Sequence, residues 1–306
     1  MPISNSRRIE VLGVPMDLGS HLRGVDMGPS AIRIAGLLPR LRGLGLRLHD
    51  RGNLAVPHAV DAGKAGGKLK YESAVRRACM QLAREVETIL RGGGLPLVLG
   101  GDHSLAIGTL AGLARGARRG RRNLGLLWVD AHGDCNTPAT SPSGNIHGMP
   151  LAVALGLGPP SLRDLAPQPM AAPEHTVLFG VRNLDAGEKR NLKSLGATVV
   201  TMRQIDELGV YAAMQLALRK VCGGTDGFHL SFDIDSLDPR FAPGVGTPVQ
   251  GGLTVREAHL LMELVADTGK LASCELVEVN PVLDERNATA ALAVDLLYSA
   301  FGGTIL

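Results

Sequence analysis

Six acidic and imidazole side chains are spaced in this sequence as the ligands of a metal site would be. They stand in three motifs: His103 in GGDHS; Asp130, His132 and Asp134 in WVDAHGD; and Asp233 and Asp235 in LSFDID. Each of the last two runs follows an apolar stretch, Leu124 to Val129 and Phe228 to Phe232, that predicts a buried strand. Because alternate residues of an extended strand share a face, we expect the ligands within each run to point the same way.

The four aspartates among these residues impose an electrostatic condition. Four carboxylates that meet in a dry site would repel one another and could not all stay ionised. Two divalent cations carry four positive charges and would balance them, which leaves a nearly neutral cluster able to hold a hydroxide. The pattern therefore predicts a two-metal hydrolytic centre.

The alternation of short apolar strands with amphipathic helices predicts the fold class. Strands are predicted at Ile9 to Val14, Leu95 to Gly100, Leu124 to Asp130, Thr176 to Gly180, Ala197 to Thr201, Phe228 to Ile234 and Ala272 to Val279. Helices are predicted at Ser30 to Leu41, Tyr71 to Leu90, Ser104 to Ala114, Ala186 to Ser194, Met202 to Val221, Thr254 to Asp267 and Ala288 to Ser299. This order favours a single-domain, three-layer α/β fold over residues 1–306, with a mainly parallel sheet flanked by helices on both faces. Ligands of such folds bind outside the carboxyl ends of the strands, where all six candidates lie.

Composition excludes several other classes of function. The 306 residues are 45% hydrophobic and 20% charged, as expected of a globular protein with a large core. A net charge of +3 with 3% aromatic residues does not indicate a nucleic-acid surface. Positive charge is concentrated in one basic cluster, which consists of Arg115, Arg118, Arg119, Arg121 and Arg122. We interpret this cluster as a solvated loop, and the alternative is a contact with a polyanion.

Cysteine usage and hydropathy bear on the compartment. The four cysteines have no CxxC spacing, which indicates buried reduced thiols. The first residues, MPISNSRRIEVLG, pass from a polar leader into a strand without an apolar signal segment, and no run of about 18 apolar residues occurs. We expect a cytoplasmic enzyme that has no membrane partner.

Four long motifs together resemble the ureohydrolase family and, within it, the arginases. They are GGDHSLAIGT, WVDAHGDCNTPATSPSGNIHGMP, LSFDIDSLDPRFAPGVGTPVQGGLT and ELVEVNP, and GVDMGPSAIR near the start extends the resemblance over nearly the whole chain. The resemblance implies an arginase-like fold and the manganese-dependent hydrolysis of L-arginine to L-ornithine and urea by a metal-bridging hydroxide. It also implies a homo-oligomer, either a trimer or a hexamer.

The resemblance assigns the metal ligands in pairs. His103 and Asp134 would bind one Mn²⁺, His132 and Asp235 the other, and Asp130 and Asp233 would bridge the two. Four oxygen donors and two imidazoles without a thiolate also suit Mn²⁺ better than structural Zn²⁺, although Co²⁺, Fe²⁺ or Ni²⁺ could occupy the same set.

Further residues take roles in catalysis by the same resemblance. Glu278 in LVEVNP would bind the guanidinium, whose paired N–H donors fit one carboxylate. His147 in GNIHGMP would move protons to the leaving amine or to solvent, for which an imidazole is suited. Together with Asp134, these are the expected catalytic residues.

A third group implied by the resemblance would recognise the amino-acid end of the substrate. Asn136, Ser143 and Asn145 would meet the α-carboxylate, and Asp185 and Glu188 the α-ammonium, directly or through water. Thr247 in GVGTPV matches another position close to the substrate. Two residues depart from the family pattern: Gly133 replaces the more common Thr or Ala, and Asn183 replaces an acid near the ammonium site.

Other functions remain open from the sequence. The nearest alternative is another ureohydrolase that acts on agmatine, guanidinobutyrate or formimidoylglutamate, which would not need the SPSGN segment and Asn136. Deacetylases of the same fold use a single zinc and lack the ligands that His103 and Asp134 supply. A regulatory binding protein without catalysis is the most distant alternative, because loss of catalysis normally removes ligands.

Overall fold

The computed structural model describes residues 7–62 and 68–304, and within these ranges eight strands form one parallel sheet. The strands are β1 (Ile9–Val14), β2 (Leu48–Asn53), β3 (Leu95–Gly100), β4 (Leu124–Val129), β5 (Thr176–Val181), β6 (Thr198–Thr201), β7 (Gly227–Asp233) and β8 (Leu271–Val277). Their order in the sheet is β2-β1-β3-β8-β7-β4-β5-β6. The first six residues, which include most of the expected polar leader, lie outside the described residues.

Helices cover both faces of this sheet. They are α1 (Gly28–Ile34), α2 (Leu37–Arg42), α3 (Glu72–Arg91), α4 (Ala106–Arg119), α5 (Pro150–Ala154), α6 (Pro160–Arg163), α7 (Ala186–Leu195), α8 (Met202–Leu208), α9 (Val210–Cys222), α10 (Val255–Asp267) and α11 (Ala288–Ala300). One apolar core lies between the sheet and α3 to α7, and a second lies between the sheet and α1, α2 and α8 to α11. The three-layer α/β prediction is confirmed.

Whether a strand can be predicted from the sequence depends on its position in the sheet. Every residue of β1, β3, β5, β7 and β8 is buried, because helices cover both faces of these inner strands. The edge strand β2 was not predicted. Its sequence, LHDRGN, is partly exposed and mostly polar, as is common where one side of a strand faces solvent.

Two helices predicted as continuous are each broken by a glycine. The predicted helix Ser30 to Leu41 is divided into α1 and α2 at Gly36, whose φ is +94°. The predicted helix Met202 to Val221 is divided into α8 and α9 at Gly209, whose φ is +74°. Both predictions were wrong because the apolar periodicity continues across a glycine whose backbone does not stay helical.

The interpretation of the basic cluster as a loop was also wrong in part. Helix α4 continues to Arg119, so Arg115, Arg118 and Arg119 lie on a helix. Arginine has a high helix propensity, and the end of an apolar pattern therefore does not mark the end of a helix. Arg119 Nη1 also lies 3.1 Å from Glu87 Oε1 on α3, which ties this end of α4 to its neighbour.

Two expectations from composition can be compared with the structure. All four cysteines are free; Cys79, Cys135 and Cys274 are buried as predicted, whereas Cys222 is half-buried. No helix within the described ranges is both long enough and apolar enough to cross a membrane.

Three glycines on one face of α4 let this helix approach α3 closely. A Cβ atom would lie 2.7 Å from Cys79 O at Gly108, 2.6 Å from Ala83 O at Gly112, and 2.9 Å from a Leu90 methyl at Gly116. The first two distances are shorter than any normal contact with backbone oxygen. The two helix backbones can pack this closely only because the glycines lack side chains.

We therefore predict that Gly112→Ala destabilises the protein, although alanine is the better helix former. Helix propensity would favour the variant by about 1 kcal/mol, whereas overpacking costs about 1 to 3 kcal/mol. The free energy of unfolding, measured by urea denaturation, should fall. The control is Gly92→Ala at the end of α3, where a Cβ would be 3.5 Å from the nearest atom, and where we expect little change. A more stable Gly112→Ala variant would contradict this account of the α3–α4 packing.

Candidate active site

The six candidate metal ligands come together at the carboxyl ends of β3, β7 and β4. These strands are near neighbours, since only β8 lies between β3 and β7. The expectation that strand alternation aligns the ligands was wrong. Strand β4 ends before Asp130, the φ of Asp134 is +46°, and Asp235 lies in a 3-10 turn. Loops that fold across the strand ends bring the ligands together instead.

The ligand atoms form two groups around the two histidines. His103 Nδ1 lies 3.0 Å from Asp134 Oδ2, 3.2 Å from Asp233 Oδ2 and 3.3 Å from Asp130 Oδ2. His132 Nδ1 lies 3.1 Å from Asp235 Oδ2 and 3.4 Å from Asp130 Oδ1. Asp130 thus turns one oxygen toward each histidine and belongs to both groups.

The geometry around His103 fits a cation better than a hydrogen bond. Its Nδ1 is buried and makes no hydrogen bond with any residue that the structure describes, despite three carboxylate oxygens within 3.3 Å. Four carboxylates and two imidazoles form a donor set of oxygen and nitrogen without sulfur, which suits a divalent transition metal.

Neighbouring side chains determine which nitrogen of His103 carries its proton. Ser231 Oγ donates to Glu275 Oε1 at 2.7 Å, and the same oxygen lies 2.8 Å from His103 Nε2. Because the single hydroxyl proton is already donated, Ser231 must accept from an Nε2–H. The Nδ1 lone pair of the neutral imidazole then faces the three carboxylates, as a metal ligand requires.

Trp128 holds both His103 and Asp130 in place. Its ring stacks on the His103 imidazole with centroids 4.1 Å apart, and its Nε1 donates to Asp130 Oδ2 at 3.0 Å. No motif predicted this role. A signal was nevertheless present, because Trp128 precedes Asp130 by two residues.

Without cations, the cluster has the electrostatics of a crowded anionic site. Burial and the nearby Asp130 raise the pKa of Asp134 to about 7. Burial alone would lower the pKa of His132, but Asp235 and Asp130 raise it to about 12. Such a cluster retains protons, and divalent cations that bind there must displace them.

A cavity of about 210 Å³ opens beside this cluster. Its walls contain every residue predicted to contact the substrate: Asn136, Ser143, Asn145, His147, Asp185, Glu188, Thr247 and Glu278. His132, Asp134, Asp233 and Asp235 also line it. The structure therefore places the predicted catalytic and substrate residues around one volume.

Glu278 and His147 face each other beside the ligands. Glu278 Oε1 accepts a hydrogen bond from the His103 backbone N–H at 2.8 Å and lies 3.2 Å from His147 Nδ1. Glu278 is 3% exposed, and its φ of +65° is a left-handed conformation that glutamate rarely adopts. Strain of this kind persists only where the surrounding structure enforces it.

One wall of the cavity is a hydrogen-bonded group at the start of α7. Asp185 Oδ1 accepts from the Glu188 N–H at 2.9 Å, and Glu188 Oε2 accepts in return from the Asp185 N–H at 3.1 Å. Asn136 Nδ2 donates to Asp185 Oδ2 at 2.8 Å, and Asn136 Oδ1 accepts from Thr140 Oγ1 at 2.8 Å. These contacts fix the two acids, and one N–H of the Asn136 amide makes no hydrogen bond with a described residue.

The loop that carries Ser143 and Asn145 is held from outside the motif. Lys70 Nζ donates to Asn145 Oδ1 at 2.9 Å, and Asn145 Nδ2 lies 3.4 Å from His21 Nδ1. Ser143 Oγ accepts from the Asn145 N–H at 3.2 Å, and its own proton goes to no acceptor among the described residues. Lys70 and His21 were not predicted because both are distant in sequence from the motif.

Arg182 fixes the opposite loop, which contains Thr247. Its guanidinium donates to the carbonyl oxygens of Asp235, Ser236 and Val249 at 2.8, 3.0 and 2.7 Å. Thr247 Oγ1 donates to Asp235 Oδ2 at 3.1 Å, which links this loop to the ligand cluster. No sequence motif predicted that Arg182 positions both.

The structure also accounts for the glycine that departs from the family pattern. A Cβ at Gly133 would lie 2.6 Å from Leu184 Cδ2 and 3.0 Å from Glu188 Oε1. Leu184 therefore occupies the space that a side chain at position 133 would need. Asn183, the second departure, lines the cavity.

Comparisons with known proteins identify the family of this chain. The model of the arginase family matches residues 7–302. The arginase of Bacillus caldovelox is 51% identical over 97% of this chain and 99% of its own length. Its native structure at pH 5.6 superposes with a TM-score of 0.93 at 50% identity, covering 98% of this chain and all of that one. The structure of Bacillus cereus arginase has a TM-score of 0.91 at 49% identity, with the same coverage. The chain belongs to the arginase family.

Proposed function

We propose that this protein hydrolyses L-arginine to L-ornithine and urea. In this reaction the oxygen of water bonds to the guanidinium carbon, the bond from that carbon to the side-chain nitrogen breaks, and this nitrogen leaves as an amine after taking a proton. The observation that carries the proposal is one cavity that is lined by four of the six ligands, by Glu278 and by a wall of polar groups. A metal-bearing cleft with these groups fits a substrate that has a guanidinium at one end and an amino acid at the other.

We propose two Mn²⁺ ions as the resident cofactor, held by the two histidine groups. Asp130 turns an oxygen to each group, which supports its role as a bridge. Asp233 is the second proposed bridge, and its Oδ2 lies 3.2 Å from His103 Nδ1. When bound, two divalent ions supply Lewis acidity and lower the pKa of a water molecule between them. Co²⁺, Fe²⁺ and Ni²⁺ remain alternatives by ligand chemistry.

Glu278 would bind the guanidinium of the substrate. Both of its hydrogen bonds with described residues go to Oε1, so Oε2 remains available to the cavity. A carboxylate and a guanidinium make strong paired hydrogen bonds, which would orient the guanidinium carbon toward the metal ligands. The backbone of His103 fixes Glu278 and thereby couples substrate position to ligand position.

His147 would supply the proton that the leaving amine takes. Burial would lower its pKa, but the adjacent Glu278 raises the pKa to about 9. The imidazole is therefore protonated at neutral pH and can act as an acid. Its backbone N–H donates to Gly19 O at 3.2 Å, which fixes the loop that carries it.

The neutral donors of the wall favour arginine over agmatine. Among the residues that the structure describes, the Ser143 hydroxyl proton and one Asn136 N–H have no acceptor, and both could donate to the α-carboxylate that agmatine lacks. The α-ammonium would lie near Asp185 and Glu188, whose carboxylates the start of α7 holds in place.

We further propose that the protein acts in the cytoplasm as a homo-oligomer, a trimer or a hexamer. The four unpaired cysteines support a reducing compartment. Support for the assembly comes only from the family pattern described above. Sedimentation of the purified protein measures it directly.

Substitution of either proposed bridge should remove metal and activity together. We expect Asp130→Asn and Asp233→Asn to lose most bound manganese and nearly all turnover, because each would serve both ions. Metal content by mass spectrometry and urea release are measured on the same preparations. The control, Asp206→Asn, changes an exposed aspartate on α8 and should leave both values unchanged. An Asp233→Asn enzyme with two tight ions and full turnover would show the ligand assignment to be wrong.

Replacement of Ser143 should discriminate between the two nearest substrates. We expect Ser143→Ala to lower kcat/KM for arginine by about 10- to 100-fold, through loss of one hydrogen bond to a charged group. The value for agmatine should hardly change, because agmatine has no carboxylate. The matched variant is Ser141→Ala, which removes a hydroxyl that accepts from Gly144 N at 3.0 Å and shapes the same loop. Equal losses for both substrates in Ser143→Ala would mean that this hydroxyl only shapes the pocket.

The pH dependence should reveal the proton on His147. Because its pKa is raised to about 9, the acidic form is present below that pH and is lost above it. We expect kcat/KM of the native enzyme to fall above about pH 9. His147→Asn should reduce kcat by about 10²-fold or more and abolish this alkaline limb. A variant with normal kcat and only a raised KM would instead assign His147 to substrate positioning.

A further inference from the structure

A second cavity lies at the opposite end of the sheet from the catalytic pocket. Its volume is about 330 Å³, and it shares no lining residue with that pocket. It lies under α4, against the start of β4 and beside the segment Pro167–Ala172. The amino ends of β4 and β7 form its inner wall, whereas the metal ligands follow the carboxyl ends of the same strands.

The charge at the mouth of this cavity is positive. Arg118 and Arg122 both line it, and no acidic residue is among the described residues that do. Arg118 is exposed at the end of α4, and Arg122 is half-buried. Neither guanidinium forms an ion pair with a residue in the described ranges. Both belong to the basic cluster that the catalytic function leaves unexplained.

The inner wall contains a buried histidine with unused hydrogen-bonding capacity. His229 lines the cavity and is 1% exposed. Its Nε2 lies 3.3 Å from Glu275 Oε1, and neither ring nitrogen makes a hydrogen bond with a described residue. Buried polar atoms without partners are uncommon and call for an additional group, such as water or a ligand.

The second ring nitrogen of His229, Nδ1, could bind an anion at the inner wall of the cavity. Glu275 is fully buried, and the adjacent His229 counters the effect of burial and keeps the pKa of that carboxyl below its ordinary value. When both ring nitrogens of His229 carry a proton, the ring can donate through Nε2 to Glu275 and through Nδ1 to a second oxyanion. The remaining walls are apolar, with Leu110, Leu113 and Met170 among them.

We propose that this cavity binds a small ligand that carries an oxyanion, either a carboxylate or a phosphate. Arg118 and Arg122 attract and hold the charge at the mouth, His229 donates to an oxygen at the inner wall, and the apolar residues contact the body of the ligand. The site is distinct from the catalytic pocket, because the two cavities share no lining residue.

The inner wall is nevertheless joined to the ligand cluster by side chains. Glu275 Oε1 lies 3.3 Å from His229 Nε2 and accepts from Ser231 Oγ at 2.7 Å, and Ser231 in turn contacts His103. Substitutions at His229 can therefore disturb the metal ligands. Surface substitutions at the mouth avoid this complication and are the primary test.

Isothermal titration calorimetry tests the proposal. The binding of inorganic phosphate and of glutarate to the manganese-loaded enzyme is measured in separate experiments. We expect at least one probe to bind, and the Arg118→Gln/Arg122→Gln double variant to bind it about tenfold more weakly or worse. The matched control is Arg121→Gln, which removes an exposed arginine of the same cluster that does not line the cavity. It should bind as the native protein does. Metal content and arginine turnover should be unchanged in both variants.

The identity of the probe that binds distinguishes phosphate from carboxylate chemistry. His229→Gln should weaken the same binding, and where that variant does not fold, the double variant still decides. Three results would overturn the proposal: neither probe binds, Arg121→Gln weakens binding as much as the double variant, or binding survives in the double variant but disappears when manganese is removed. The last would place the anion at the metal centre.

Discussion

Four buried carboxylates at the ends of adjacent strands form the constraint on which the rest of this structure depends. Asp130, Asp134, Asp233 and Asp235 are each less than a tenth exposed, and such a group is electrostatically unfavourable unless protons or cations balance it. The pKa of Asp134, raised to about 7, shows the strain that the cluster has without metal. The proposed pair of divalent ions would convert this repulsion into a binding site and supply the Lewis acidity for hydrolysis.

The parallel sheet satisfies this constraint by its order of strands. Because β3, β8, β7, β4 and β5 are adjacent, residues at or beyond their carboxyl ends meet at one edge: His103, Glu278, Asp233, Asp130 and Asp185. Helices on both faces bury the strands. In one of these helical layers, the glycines of α4 let it pack closely against α3. Two residues of the site, Asp134 and Glu278, have left-handed backbone conformations. Their strain must be offset by the packing around them.

Side chains behind the ligands complete the site. Trp128 and Ser231 fix the ring position and the tautomer of His103, and Arg182 fixes the loop after β7 through backbone carbonyls. Ser231 leads through Glu275 to His229 and the second cavity, so the polar residues under α4 form one connected set. A polar path thus runs through the apolar core that α3 to α7 cover.

The sequence by itself determined the family, the fold class, the inner strands and most of the residues that line the cavity, because inner strands are continuous apolar runs and the chemical motifs are local. It did not determine β2, the breaks at Gly36 and Gly209, or the extension of α4 through its arginines, since each depends on solvent exposure or backbone conformation rather than on apolar periodicity. Only the tertiary structure decided how the ligands converge, which ring nitrogen of His103 carries the proton, and that Lys70, His21 and Arg182 position the loops of Asn145 and Thr247. Those contacts join residues that are far apart in the chain, and chain packing alone brings them within hydrogen-bonding distance.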